Sequence, residues 1–396
     1  MRIRFLAVHQ TAAALLLFQA TAFLVPWFIV LWLSFSEDVE AVAQYSFLLA
    51  IFSPIALLCA SPSRNYLLSS EHLSDEQVIG IRLLLCAIGV LLALALGSVY
   101  GAVTLAVAIC LAKSTEFFFD LPIAKNIKSK QSGRLAWLAV LKIIVIAVGA
   151  LVVLTFDHLP FALTILSIGF VAVSWWQLGV RAKKPANLRN TFKSIIPLSM
   201  SALVFSVYFN IPRYLLGGQE ESGLLAILTI SSFLLTALLV LNNALCQAQL
   251  HSWSKLISLN DAVGLKRSVY KGLARSLAMY VLLQVWQLPL LFDGFWAAHN
   301  NLQLQDPNYP DIFRWFLILA FGPLLFSFSN YLLTVNKEHQ LLLKVTVINT
   351  SLTGIIAWLT FSYIGIFGLL ALISLSGVSH SIFCFWRFNY TMKRLA

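Results

Sequence analysis

Residues 135–156 read LAWLAVLKIIVIAVGALVVLTF, and Lys142 is the one charged side chain among them. A helix needs about 20 apolar residues to cross the hydrocarbon core of a bilayer, so this run is long enough. Asp157 follows the run, and four basic residues precede it: Lys125, Lys128, Lys130 and Arg134. Because cytoplasmic loops are enriched in Lys and Arg, the pattern predicts a transmembrane helix that begins on the cytoplasmic side.

Similar runs fill most of the chain. Sixty per cent of the 396 residues are hydrophobic and 11% are charged, whereas a soluble protein carries about 25% charged residues. The runs are continuous rather than alternating, which favours helices over barrel strands. The sequence therefore predicts an all-α integral membrane protein with about twelve transmembrane helices. The predicted spans are Ala12–Leu33, Ala43–Asn65, Val78–Tyr100, Ala102–Ile123, Leu135–Phe156, Phe161–Val180, Phe192–Leu216, Gly223–Gln247, Leu273–Phe295, Ile312–Val335, Gln340–Tyr363 and Gly365–Phe388.

The loop charges predict the orientation. Basic residues concentrate at both termini and in loops 124–134, 181–191 and 248–272, which alternate with acidic loops that contain no lysine. The positive-inside rule then places both termini in the cytoplasm. The net charge of +11 follows from this topology, so we expect no nucleic-acid partner.

Two halves of the chain share sequence marks. Pro26 and Pro212 lie 212 − 26 = 186 residues apart, and the tetrapeptide SFLL occurs at 46–49 and again at 232–235, with the same offset. Such a repeat is typical of transporters built from two related bundles around a central substrate site. We therefore predict pseudo-symmetric six-helix bundles at 1–180 and 192–396, joined by a cytoplasmic connector at 181–191.

Motifs of soluble enzyme chemistry are missing. The chain has no GxxxxGK[ST] phosphate loop, no GxGxxG after a strand and no HExxH, so ATP hydrolysis and hydrolytic zinc chemistry are not expected. The five cysteines lie singly in apolar runs, where they are interpreted as packing residues. We expect no enzyme activity, no cofactor and no metal, and any transport would be secondary.

Charged residues inside predicted spans are functional candidates, because charge in hydrocarbon is unfavourable. Arg213 lies in the outer part of the seventh span, within Asn210-Ile211-Pro212-Arg213-Tyr214. It could bind a ligand where Pro212 kinks the helix, or it could extend to the outer interface with Tyr214 as an aromatic anchor.

Three residues of the fourth span, Lys113, Glu116 and Asp120, share one helical face. They could neutralise one another or form a site for a coupling ion or a headgroup. Arg64, at the end of the second span, could be an interfacial cation or a substrate ligand. Three cations lie a turn inside helices and could face inward or extend to the interface: Arg82, Lys142 and Lys344. His380, in the last span, is expected to form an interhelical hydrogen bond.

The stretch Ile195–Gln249 resembles the polysaccharide-repeat flippases of the O-antigen and capsule type. These flippases belong to the multidrug/oligosaccharidyl-lipid/polysaccharide exporter (MOP) superfamily, which also holds the multidrug and toxic compound extruders (MATE). The resemblance lies in Ile196-Pro197-Leu198, in the Asn210–Tyr214 segment and in Leu224–Ser232. The chain lacks the first-helix arginines with which some relatives hold pyrophosphate.

The resemblance implies a flippase of the bacterial inner membrane. It would carry an undecaprenyl-pyrophosphate-linked oligosaccharide from the cytoplasmic to the outer leaflet of the lipid bilayer, alongside a polysaccharide polymerase and chain-length machinery. The expected substrate ligands are Arg213, Arg64, Asn210 and Lys113, and the expected ion-coupling candidates are Glu116 and Asp120. Two alternatives remain open at this point: an ion-coupled multidrug extruder of the same fold and a membrane oligosaccharide polymerase.

Overall fold

The computed structural model describes residues 2–35, 39–61, 64–69, 74–178, 188–217, 222–285 and 315–395. These residues are almost entirely helical, and no strand occurs among them. Eight of the described helices are long and apolar enough to cross a membrane. The protein is thus an all-α, multi-pass membrane protein. The count of twelve spans and the cytoplasmic placement of both termini stay predictions.

The first part of the chain forms eight helices and one 3-10 turn. They are α1 (Arg2–Phe35), α2 (Val39–Cys59), α3 (Arg64–Ser69), α4 (Asp75–Val99), α5 (Val103–Glu116), the 3-10 turn Phe117–Phe119, α6 (Asp120–Lys128), α7 (Ser132–Phe156) and α8 (Leu159–Leu178). Two predicted spans are interrupted. The second ends as a regular helix at Cys59, and the fourth is broken at the 3-10 turn.

In the second part of the chain residues 315–319 are helical, and five further described helices have defined bounds. They are α9 (Leu188–Gly217), α10 (Ser222–Ser258), α11 (Ala262–Val285), α12 (Phe321–Val335) and α13 (His339–Leu395). The last two predicted spans both fall within α13, which changes direction at Gly365, where φ is +58°. Residues 179–187, which hold most of the predicted connector, and the predicted external loop at 296–311 lie outside the described residues.

Helices α12 and α13 approach each other closely at two glycines. A Cβ on Gly322 would overlap the backbone of Ser374, and a Cβ on Gly377 would overlap the carbonyl of Gly322. Small residues at such crossings allow helix backbones to pack tightly in membranes, where packing takes over from the hydrophobic effect.

The outer faces of several helices carry large exposed apolar side chains, as lipid-facing surfaces do. Among them are Leu91, Leu151, Leu154, Trp358 and Leu375.

The chain divides into two compact units. Unit 1 comprises Met1–Ala22 and Ile51–Ser206, and unit 2 comprises Phe23–Ala50 and Val207–Ala396. Helices α1, α2 and α9 therefore contribute residues to both units. The predicted division at 1–180 and 192–396 stays a prediction.

Candidate functional site

A break in the helices of unit 1 creates the candidate site. Pro122 has no backbone N–H, so a regular helix cannot continue through the segment that precedes it. The chain forms the 3-10 turn Phe117–Phe119 instead, and Asp120 begins α6. Two carboxylates, Glu116 and Asp120, thus flank the turn. Asp120 lies at the N-terminus of α6, where the helix dipole favours a negative charge.

Asp120 binds two arginines from other helices. Arg64 donates from Nε and Nη2 to Oδ1 of Asp120, at 2.8 and 2.7 Å. Arg82 donates from Nη2 to Oδ2 of Asp120, at 3.3 Å. Arg82 also donates to the carbonyl of Phe117 and, at 3.2 Å, to that of Ala60. Its positive charge therefore lies where α2 and α5 end, at the negative ends of their dipoles.

Glu116 likewise binds two lysines. The Nζ of Lys142 lies 2.5 Å from Oε1 of Glu116, and the Nζ of Lys113 lies 3.7 Å from Oε2. Lys142 is fully buried and lies 4.5 Å from the ring centroid of Phe18, a cation–π contact that further stabilises its charge. This lysine is the charged residue of the run that opened the sequence, and it faces the protein interior rather than lipid.

We call these six residues the cationic cluster: Arg64, Arg82, Lys113, Lys142, Glu116 and Asp120. The two halves of the cluster adjoin, because Glu116 and Asp120 lie on either side of the 3-10 turn Phe117–Phe119. Four cations and two carboxylates give the cluster a net charge of +2. The side chains of Arg64 and Lys113 are 15% and 21% exposed, whereas those of Arg82 and Lys142 are 1% exposed.

The structure bears on two expectations. Within the triad, Lys113 contacts Glu116 at 3.7 Å, as one of the two interpretations expected, whereas Asp120 pairs with Arg64 and Arg82 from other helices. Arg82 and Lys142, which sequence reasoning left undecided, are buried members of the cluster, whereas Lys344 is exposed. In the sequence all three cations lie about a turn inside a helix. This position therefore does not distinguish the two buried cations from the exposed one.

Unit 2 holds a different cationic site. Arg213 of α9 donates from Nη1 to Oδ1 of Asn210, at 2.8 Å, and from Nη2 to Oγ of Ser232 in α10. Among the described residues, no carboxylate lies within ion-pair distance of Arg213. Tyr214 donates to the carbonyl of Ala50 in helix α2, at 2.7 Å.

Several other polar side chains of unit 2 bind across helices. Asn242 accepts from Ser276 at 2.7 Å and donates to Ser327 at 3.2 Å. His380 lies 2.9 Å from Oδ1 of Asn330, which confirms the predicted interhelical hydrogen bond. Such interhelical hydrogen bonds are typical of polar side chains in membrane helices.

No family model matches the sequence, and no curated protein matches it. Solved structures do match its fold. A multidrug resistance MATE family transporter of the MOP superfamily, in an outward-facing conformation, has a TM-score of 0.70 at 12% identity, over 98% of this chain and 96% of that chain. A MATE in complex with MaL6 has a TM-score of 0.69 at 13% identity, over the same shares of the two chains.

A third structure is a MOP superfamily transporter from Pyrococcus furiosus, with a TM-score of 0.69 at 13% identity over 98% of this chain and 96% of that chain. It is described as having a binding pocket of reverse polarity that suggests a different function.

The protein therefore has the MATE fold. At these identities the likeness shows the fold alone, so membership of the predicted superfamily stays a prediction. The narrower assignment to the polysaccharide-repeat flippases stays a prediction.

Proposed function

We propose that this protein is a flippase that moves a polyprenyl-pyrophosphate-linked oligosaccharide from the cytoplasmic to the outer leaflet of a bacterial inner membrane. Movement would occur by alternating access, as in other transporters with two related bundles. The observation that carries the proposal is the cationic cluster of unit 1, which keeps a net charge of +2 within membrane-embedded helices. Such an excess of positive charge suits an anionic cargo.

The chemistry of the cargo explains why a protein is needed. A pyrophosphate and its sugars cannot cross hydrocarbon unaided, because their polar groups would lose all hydrogen-bond partners. Arginine suits phosphate oxygens because its planar guanidinium donates two parallel hydrogen bonds. Arg64 and Lys113 are the partly exposed cations of the cluster, so they are the side chains that we assign to the first contact with the phosphates. We assign Arg213, with Asn210 beside it, to binding of the same pyrophosphate head group at a later stage of transport.

The second candidate is an ion-coupled multidrug extruder, and the MATE fold favours it, since a multidrug resistance transporter shares that fold. Such a protein needs an interior carboxylate that can bind a cation or a proton. Here each carboxylate of the cluster is paired with two cations already. The MOP superfamily transporter from Pyrococcus furiosus shares this fold, and the reverse polarity of its binding pocket suggests a different function for that protein. We therefore favour an anionic cargo.

Reconstitution into liposomes tests the proposal. Purified protein is inserted into vesicles whose outer leaflet carries a fluorescent polyprenyl-pyrophosphate-linked oligosaccharide, and loss of the head from that leaflet is followed with an external glycosidase. We expect wild-type protein to accelerate this loss. Arg64→Gln should slow it by about tenfold or more, because a charge-assisted hydrogen bond contributes about 1.5–3 kcal/mol.

Lys344→Gln is the matched control, since it removes a cation that also lies a turn inside its helix but is exposed. Its flux should equal that of the wild type. Export of cationic dyes by the wild type, abolished by Glu116→Gln and without any flipping of the anionic lipid, would support the extruder and reject our proposal. Equal flux in Arg64→Gln and Lys344→Gln would reject the assigned site.

A further inference from the structure

The two arginines that bind Asp120 are held in different ways. Arg82 is 1% exposed, and its guanidinium also donates to the backbone carbonyls of Ala60 and Phe117. Arg64 is 15% exposed, and it directs two donors to the same oxygen of Asp120. The carbonyls at the ends of α2 and α5 therefore help to hold Arg82, and the carboxylate of Asp120 engages the Nε and Nη2 edge of Arg64.

A carboxylate and a phosphate present similar oxygens to a guanidinium group, and both bind its planar fork. In this structure Asp120 occupies Nε and Nη2 of Arg64, the two donors that such a fork would use. Any phosphate that binds this edge of Arg64 must first replace the carboxylate.

We propose that Asp120 is an internal competitor for the anionic cargo. In the empty protein it occupies Arg64, and during binding the phosphate takes over Arg64 while Asp120 stays on Arg82. The inference rests on the proposed function, and it makes Asp120 a positioning and specificity residue rather than an ion-coupling site. Cargo release is the reverse exchange, in which the carboxylate returns to Arg64 and displaces the phosphate.

The charges of the cluster favour this exchange. Removing one member of a buried ion pair leaves an uncompensated charge, which is strongly unfavourable. Because Asp120 already contacts Arg82 through its second oxygen, Oδ2, it keeps a cationic partner when Arg64 turns to the cargo. With both carboxylates retained, the net charge of +2 is neutralised by a diphosphate diester with two negative charges. A phosphate diester with one charge would leave an excess, so the exchange selects for the diphosphate.

The test measures binding of inorganic pyrophosphate to the purified full-length protein in nanodiscs, by titration calorimetry. Asp120→Asn keeps the size of the side chain and removes its charge. We expect Asp120→Asn to bind pyrophosphate about tenfold or more tightly than the wild type, because the competitor for Arg64 is weakened. In the liposome assay the same variant should show a lower KM and a lower turnover, since release is slowed. A merely structural role for Asp120 would not produce this pair of changes.

The binding and flipping measurements distinguish failure of this inference from failure of the proposed function. Unchanged or weaker pyrophosphate binding by Asp120→Asn, with wild-type binding intact and abolished by Arg64→Gln, rejects the competitor and leaves the proposed function standing. Absence of both binding and flipping in the wild type rejects the proposed function itself.

If Asp120→Asn does not fold, infrared difference spectra of the wild type replace it. Pyrophosphate should then shift a carboxylate stretching band in the wild type and in Glu116→Gln but not in Arg64→Gln, and an unshifted band in the wild type overturns the inference.

Discussion

The cationic cluster of unit 1 and Arg213 of unit 2 both hold positive charge within apolar helices, but their partners differ in kind. In the cluster, Glu116 and Asp120 are each paired with two cations. Arg213 donates to an amide and a hydroxyl, from Asn210 and Ser232. One site thus stabilises its charges mainly with opposite charges, and the other does so with neutral dipoles.

This difference has consequences for stability and function. Truncating one partner of a buried ion pair leaves the other charge without compensation, so the cluster should tolerate little change. Loss of Arg213 leaves only neutral groups, which are far less unfavourable when buried. We therefore expect that removing a charge with neutral partners decreases the free energy of unfolding only a little. Removing one charge from the cluster should decrease it much more.

The largest expected effect is on stability, in Lys142→Met. The variant leaves the buried Glu116 carboxylate with Lys113 at 3.7 Å as its cationic partner within ion-pair distance. We expect the free energy of unfolding to fall by about 3–5 kcal/mol, as measured by denaturant titration in detergent micelles. The double variant Lys142→Met with Glu116→Gln should recover most of this loss, because the charge that then loses its partner is that of Lys113, whose side chain is 21% exposed rather than fully buried. A double variant as unstable as the single one would show that the charge of Glu116 is not the cause of the lost stability.

Arg213→Met should have a smaller effect on stability. It removes hydrogen bonds to Asn210 and Ser232, and both partners are neutral. We expect a decrease of about 1–2 kcal/mol in the free energy of unfolding, together with a tenfold or larger loss of flipping, roughly the contribution of one charge-assisted contact. The same titration and the liposome assay measure the two quantities. A destabilisation as large as that of Lys142→Met would show that a carboxylate compensates Arg213 after all.

Asn210→Asp should change stability least, and it tests directly how a charged partner differs from a neutral one. It gives Arg213 an anionic partner where Asn210 now accepts at 2.8 Å, and so converts this site to the type found in the cluster. Because the gain in attraction and the loss of hydration largely cancel, we expect the free energy of unfolding to change by less than about 1 kcal/mol. Flipping should fall several-fold, since the aspartate competes with the phosphates for Arg213. Asn210→Ala is the control that removes the acceptor without adding charge, and a loss of flux as large in that variant would refute the competition.

The fold was largely predictable from the sequence, but the candidate site was predictable only in part. Continuous apolar runs predicted a multi-pass helical protein, and the described helices agree. The breaks after Cys59 and at Phe117–Phe119 were missed, because both lie inside apolar runs that a membrane span also requires. Arg64, Lys113, Glu116 and Asp120 were predicted as site residues. The contact between Lys113 and Glu116 was also expected, from their spacing on one helical face. The pairing of the two carboxylates with Arg64, Arg82 and Lys142 was not, because these partners lie on other helices.

The sequence by itself determined that this chain is a membrane-embedded helical protein, because a helix satisfies its own backbone within lipid and needs only sufficient length and hydrophobicity. Only the tertiary structure decided which buried charges meet. Arg64 and Asp120 lie 56 residues apart and Lys142 and Glu116 lie 26 apart, on different helices. Nothing local distinguishes Lys142, which is buried, from Lys344, which is exposed. The difference arises from the helices that pack around each residue.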